Sequence, residues 1–141
     1  MKQILTGAQI LVVEDNPLNM ELVRDILESQ GCTVLAATDG QEALEMLDQP
    51  SAVLPDLVLM DIQIPQVDGL TVTRRIKADP ARAQLPVIAL TAHAMRGDER
   101  LMFDAGCDDY IAKPFELSSL LATIARHLPS TNDHAAGVEL G

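Results

Sequence analysis

The sequence predicts an α/β fold, a doubly wound five-stranded parallel sheet covered on both faces by five helices. Three observations carry that expectation. Short apolar runs recur at Ile10–Val13, Thr33–Ala36, Leu57–Met60, Val87–Leu90 and Tyr110–Ala112, each about the length of a strand. Longer segments with helical spacing separate them, the arrangement that right-handed crossovers between parallel strands require. The run Leu57–Met60 is apolar at every position, as a strand buried on both faces is.

The first strand leads into Asn16-Pro17, a helix N-cap followed by proline at the first helical position. Leu18, Leu22 and Ile26 then repeat at four-residue spacing, Val23 and Leu27 widen the stripe, and Gly31 stands where that helix should stop. After the second strand Asp39 is an N-cap with Glu42 three residues on, and Ala43, Leu44 and Leu47 give the helix its apolar side. The third strand ends on Asp61, and Asp68-Gly69 is a turn signal in which Asp68 caps a helix carrying Leu70, Thr73 and Ile76. A weaker helix is expected over residues 96–105, beginning near Arg96, with Leu101 and Met102 as its apolar members and Gly106 closing it. The fifth strand runs into Lys113-Pro114, and Leu117, Leu120, Leu121 and Ile124 mark the last helix. Residues 129–141, "PSTNDHAAGVELG", have no periodicity and read as a flexible tail, so one domain is expected over residues 8–128.

Composition narrows the function classes. A chain of 141 residues, 48% apolar, can bury a real core. Twenty-one acidic residues against ten basic ones give a net charge of -11, which repels nucleic-acid phosphates and anionic membrane surfaces. The acidity serves solubility, and it is compatible with a bound divalent cation. No window approaches the ~18 apolar residues of a membrane span. The N-terminal "MKQILTGAQILVVED" is broken by Glu14 and Asp15 with no cleavage site after it, so no signal peptide is expected. Cys32 and Cys107 stand far apart without C-x-x-C spacing and read as core or turn thiols in a reducing cytosol. His93, His127 and His134 lack metal-ligand spacing and read as surface residues.

In an open parallel sheet, ligands bind outside the carboxyl ends of the strands, at the switch in strand order. The first strand ends on Glu14-Asp15, the third on Asp61, the fourth on Thr91, and the fifth on Lys113-Pro114. Asp61 has no basic neighbour in sequence, so its charge must be paired from elsewhere in the chain, neutralised or used. Carboxylates ~5 Å apart at an effective dielectric near 20 repel by roughly 3 kcal/mol per pair, and a single lysine offsets only part of that. A hard cation with oxygen ligands offsets the rest, and Mg²⁺ fits because it leaves room for a phosphate oxygen. Singly, Asp15 is a helix-start residue, Thr91 a strand-end cap and Lys113 a solvated loop charge. Together on one edge of a sheet they make a metal-held carboxylate nucleophile facing a phosphoryl group.

At this point the sequence resembles the receiver domain of bacterial two-component response regulators, over about residues 8–128. "LVVEDNPLN", "LVLMDIQIPQVDG", "VIALTAHAM" and "AGCDDYIAKPF" look like the family's four signature blocks in order. The resemblance implies flavodoxin-like topology. It makes Asp61 the phospho-acceptor for a histidine kinase or a phosphotransferase histidine, with Asp15 holding Mg²⁺ directly and Glu14 through water. The Gln63 backbone carbonyl would complete the metal ligands. Thr91 is then the switch hydroxyl, Tyr110 the switch aromatic and Lys113 the partner of a phosphoryl oxygen, in a cis Lys113-Pro114 unit. Glu14 stands where Asp is commoner, and Gln63 where the family varies. The blocks look most like receivers of hybrid sensor kinases and single-domain cell-cycle regulators. With no output domain following, readout is expected through a downstream protein on the face of the fourth helix, fifth strand and fifth helix.

Two rival readings share the fold. A Mg²⁺-dependent aspartyl-phosphate phosphohydrolase usually needs a second Asp two residues after its nucleophile, where this chain has Gln63. A flavodoxin-like flavin carrier wants a Ser/Thr/Gly-rich phosphate loop after the first strand and aromatics around the ring. This chain has "EDNP" there, no Trp, one Tyr and two Phe. The resemblance therefore implies a switch rather than an enzyme, with only self-directed phosphotransfer and autodephosphorylation.

Overall fold

The computed structural model describes residues 5–48, 54–62, 69–92 and 98–128. The expected positions Gln63, Asp68, His93, Arg96 and His134, and the tail over 129–141, lie outside them. Within them the chain alternates strand and helix: β1 (Gln9–Val13), α1 (Pro17–Ser29), β2 (Thr33–Ala37), α2 (Gly40–Leu47), β3 (Leu57–Asp61), α3 (Gly69–Ala78), β4 (Val87–Thr91), α4 (Asp98–Ala105), β5 (Asp109–Ala112) and α5 (Leu117–His127). All five strands pair in parallel, in the order β2-β1-β3-β4-β5. The order reverses direction between β1 and β3, which opens the crevice where ligands of such sheets bind.

Alternate strand residues serve two cores. Ile10, Val12, Leu57, Leu59, Ile88 and Leu90 pack with α1 and α5, while Leu11, Val13, Val58, Met60, Val87 and Ala89 pack with α2, α3 and Met102 of α4. Every residue of β3 and β4 is buried, as the uninterrupted apolar run predicts. Burial of both faces leaves the strand ends as the places where these strands can meet solvent or a ligand.

The helix ends follow local chemistry. The Asn16 side chain accepts from the backbone N–H groups of Leu18 and Asn19, and Asp39 accepts from that of Glu42. Gly31 and Gly106 take φ of +88° and +108°, a region that strains any residue with a Cβ. The stripe expected on α1 is displaced in part: Val23 and Leu27 are buried and Ile26 packs against the core as expected, but the two leucines before them are not. Leu18 is 77% exposed and Leu22 51%, while Met20, Val23 and Leu27 face the sheet. Spacings of three and four residues suit either stripe, and packing against the sheet selects the second. On α4, likewise, Met102 is buried and Leu101 exposed. Both cysteines are buried free thiols, and burial pushes Cys32 up to about 11 and Cys107 upward, so neither is a ready nucleophile.

Candidate functional site

Parallel register brings the ends of β1, β3, β4 and β5 to one edge. Val13 pairs with Met60, Asp61 with Leu90, and Thr91 with Ala112, so Glu14, Asp61, Thr91 and Lys113 arrive at one level. Backbone hydrogen bonds extend the ladder past the strands. Glu14 N donates to Ala37 O at 3.0 Å, Ile62 N to Leu90 O at 3.2 Å, and Lys113 N to Thr91 O at 2.7 Å. Gly69 contributes by lacking a side chain. A Cβ there would lie 2.5 Å from Ile62 Cα and 2.7 Å from the Asp61 carbonyl oxygen, so α3 can begin directly against the end of β3.

Lys113 answers the question posed by Asp61. Its Nζ lies 3.0 Å from Asp61 Oδ2 and 3.3 Å from Glu14 Oε1, across a cis Lys113-Pro114 unit. Glu14 is 1% exposed and Asp61 3%. Burial is the largest influence on Glu14 and raises its pKa, the Asn16 N–H opposes this, and the nearby Asp61 adds to it. Burial works against the Lys113 ammonium, but the Asp61 and Glu14 carboxylates outweigh it and lift the pKa above that of an ordinary lysine. Asp15 is exposed, yet one oxygen from each of Glu14, Asp15 and Asp61 lies within 4.8 Å of the others. Three hard oxygen donors at that spacing, with a single ammonium beside them, fit Mg²⁺ in donor type and charge. Soft or borderline metals would call for sulfur or imidazole, which this edge lacks among the described residues.

A cleft of about 370 Å³ reaches this cluster from the side of α1, lined among others by Glu14, Asn19, Leu22, Lys113 and Phe115. Thr91 is fully buried at the end of β4, and Tyr110 lies near the start of β5, opposite Ala89. The Tyr110 hydroxyl donates to the Glu99 carboxylate on α4, which holds the phenol's pKa up. Glu99 and Gly69 were not legible as site residues. Nothing in the spacing links Glu99 to Tyr110, and Gly69 signalled only a turn. His127, expected at the surface, is three-quarters buried and bonds Asp109 Oδ2 at 2.9 Å.

Comparison with known proteins agrees with this geometry. Residues 10–125 match the response regulator receiver domain family. The polar-differentiation response regulator DivK of Brucella anthropi is 44% identical over 119 residues, 84% of this chain and 94% of that protein, and that of Brucella ovis matches equally. Among solved structures, the receiver domain of a Pseudomonas aeruginosa sensor histidine kinase, with a magnesium ion coordinated in its active-site cleft, is 38% identical. It superposes with a TM-score of 0.76, covering 86% of this chain and 98% of that one. A receiver domain of a histidine kinase from Syntrophus aciditrophicus gives 33% and 0.80, covering 89% and 92%. Neither the phosphohydrolase nor the flavin-carrier reading is favoured by these matches.

Proposed function

The chain belongs to the response regulator receiver family and is a receiver domain of two-component signalling; on that premise we propose that Asp61 is the residue that takes up the phosphoryl group. The ion pair between Lys113 Nζ and Asp61 Oδ2, 3.0 Å long and set beside two further carboxylates, is the observation that supports this best. In the transfer an Asp61 carboxylate oxygen bonds to phosphorus while the phosphorus–nitrogen bond of a phosphohistidine breaks. The electron pair of that bond returns to the imidazole, and an acyl phosphate remains on Asp61. Lys113 then faces one phosphoryl oxygen and the Thr91 hydroxyl donates to another. Asp15, Asp61 and the Gln63 backbone carbonyl, with Glu14 acting through water, would hold Mg²⁺, and the ion would supply positive charge against the crowded oxygens.

The donor is a histidine kinase or histidine phosphotransferase, and the cleft beside α1 is its approach. The receiver domain spans residues 8–128, followed by a tail. Signal leaves through a downstream protein on the face of α4, β5 and α5, with Thr91 and Tyr110 as the switch pair. The chain acts on itself only, by phosphotransfer and autodephosphorylation, and works in the cytoplasm without nucleic-acid or membrane contact. No helix among the described residues is long and apolar enough to cross a membrane.

The test is labelling with acetyl phosphate in Mg²⁺. Asp61→Asn, nearly isosteric but unable to serve as the carboxylate nucleophile, should take up no label while its circular dichroism matches the parent. Full labelling of that variant would mean that another residue is the acceptor.

A further inference from the structure

Tyr110 packs against the second core, and α4 contacts its side chain at the hydroxyl and at the ring. Its hydroxyl donates to the Glu99 carboxylate, and its ring meets Phe103 edge-on, with centroids 6.2 Å apart at 76°. Glu99 and Phe103 lie four residues apart on α4, so they share one stripe of that helix. Phe103 is 47% exposed, which makes this a surface clamp rather than part of the core. Neither residue touches the carboxylate cluster. From Thr91 the route is short, since Ala112 pairs with Thr91 across the β4–β5 ladder and Tyr110 precedes Ala112 by two residues on the same strand.

We infer that Glu99 is a positioning residue of the switch: its carboxylate holds Tyr110 against α4 and so opposes the rearrangement that phosphorylation of Asp61 drives. The inference rests on Tyr110 being the switch aromatic. If the activated conformation moves Tyr110 away from α4, that move breaks a charge-assisted hydrogen bond and an aromatic contact. Contacts made in only one of two conformations bias the balance by their full differential strength. Partial exposure returns some of this to water, so the expected bias is about 3- to 10-fold, below the range of buried hydrogen bonds to charged groups.

Tyr110 is the single tyrosine of a chain without tryptophan, so emission excited beyond the absorption of the two phenylalanines reports on it alone. A carboxylate that accepts the phenolic proton quenches that emission, because the excited phenol is a much stronger acid. Beryllofluoride with Mg²⁺ serves as the acyl-phosphate mimic, and the amide resonance of Lys113 reports its binding. In the parent, saturation should raise tyrosine emission. Glu99→Ala should start bright and reach half-saturation at about 3- to 10-fold lower beryllofluoride. Glu99→Gln, which keeps an acceptor oxygen without charge, should fall between the two. An unchanged half-saturation point in Glu99→Ala, or an emission equal to the parent's, overturns the inference. A parent whose Lys113 resonance reports binding while its emission stays constant overturns the Tyr110 reading itself, so the two failures appear in different samples.

Discussion

The two ends of the sheet carry carboxylates in similar number and treat them in opposite ways. At the amino ends each has its own partner. Asp56 Oδ2 accepts from Gln9 N at 2.8 Å, and Asp108 Oδ2 from Lys77 Nζ and Val87 N, both at 2.8 Å. Asp109 accepts from Tyr110 N and Arg126 Nη2 at 2.8 Å, and bonds His127 Nε2 at 2.9 Å. At the carboxyl ends Glu14, Asp15 and Asp61 crowd within 4.8 Å around the Lys113 ammonium. The amino end is charge used as structure, tying loops to strands. The carboxyl end carries an excess of negative charge that stability alone would not retain, and such local violations mark function.

The largest effect expected from that contrast is on chemistry. Chelating divalent cations, or replacing Asp15 by Ala, should lower acetyl-phosphate labelling of Asp61 by about 100-fold or more, because the reacting oxygens then face each other with Lys113 alone. Labelling rates with and without chelator decide it. An undiminished rate would show that the excess charge at the carboxyl end is not there for a cation.

Next in size is a structural effect at the other end. Lys77 Nζ donates to Leu85 O at 2.7 Å, Ala83 O at 3.3 Å and Asp108 Oδ2 at 2.8 Å, joining α3 to the segments that lead into β4 and β5. Its side chain is largely buried, so Lys77→Ala should cost about 2–3 kcal/mol of stability by urea unfolding. Labelling of the folded variant should match the parent. A comparable loss of labelling would show that the two ends are not separable.

These pairs also mark how far the sequence could be read. Strand ends are local facts, so Asp61, Thr91 and Lys113 could be assigned to one edge once the strands were recognised. Asn16 and Asp39 cap as read because a cap involves neighbours only. The pairs Lys77–Asp108, Glu99–Tyr110 and Asp109–His127 span 31, 11 and 18 residues. No periodicity links such partners, since the docking of one element on another decides them. The exposed Leu18 and Leu22 teach the same lesson. Spacing defines an apolar stripe, but with five candidate residues on α1 only the sheet decides which side is buried.

A smaller effect appears in acid. Burial alone would raise the Asp109 pKa, but the hydrogen bonds from His127, Arg126 and the Tyr110 N–H outweigh it and hold the carboxyl below its ordinary 3.8. A depressed folded-state pKa means that the unfolded chain binds the proton first. The contribution is therefore complete above 3.8 and is lost as pH falls through the lower folded value. Asp109→Asn should cost about 1 kcal/mol at neutral pH, and the gap between variant and parent should narrow below that value. Urea midpoints at several pH values measure it, and a gap that widens in acid would reverse the sign.

The smallest effect has the opposite sign and separates the two ends most sharply. Asp15 is exposed and sits within 4.8 Å of the Glu14 and Asp61 oxygens, so its charge is repelled by both without being buried by either. Solvent screening reduces each repulsion well below the roughly 3 kcal/mol of a buried pair, leaving a net penalty of about 0.5 kcal/mol. Asn keeps the shape and removes the charge. In Mg²⁺-free buffer Asp15→Asn should thus be slightly more stable than the parent, whereas neutralising Asp109 at the other end destabilises. Adding Mg²⁺ should reverse the ranking, because a ligand at free concentration L stabilises the folded state by RT ln(1 + L/Kd) and the variant binds Mg²⁺ more weakly. Urea midpoints of both chains, with and without Mg²⁺, give four numbers. A variant less stable than the parent in the absence of Mg²⁺ would mean that Asp15 contributes to folding as the amino-end aspartates do, and the contrast between the two ends would lose its physical basis.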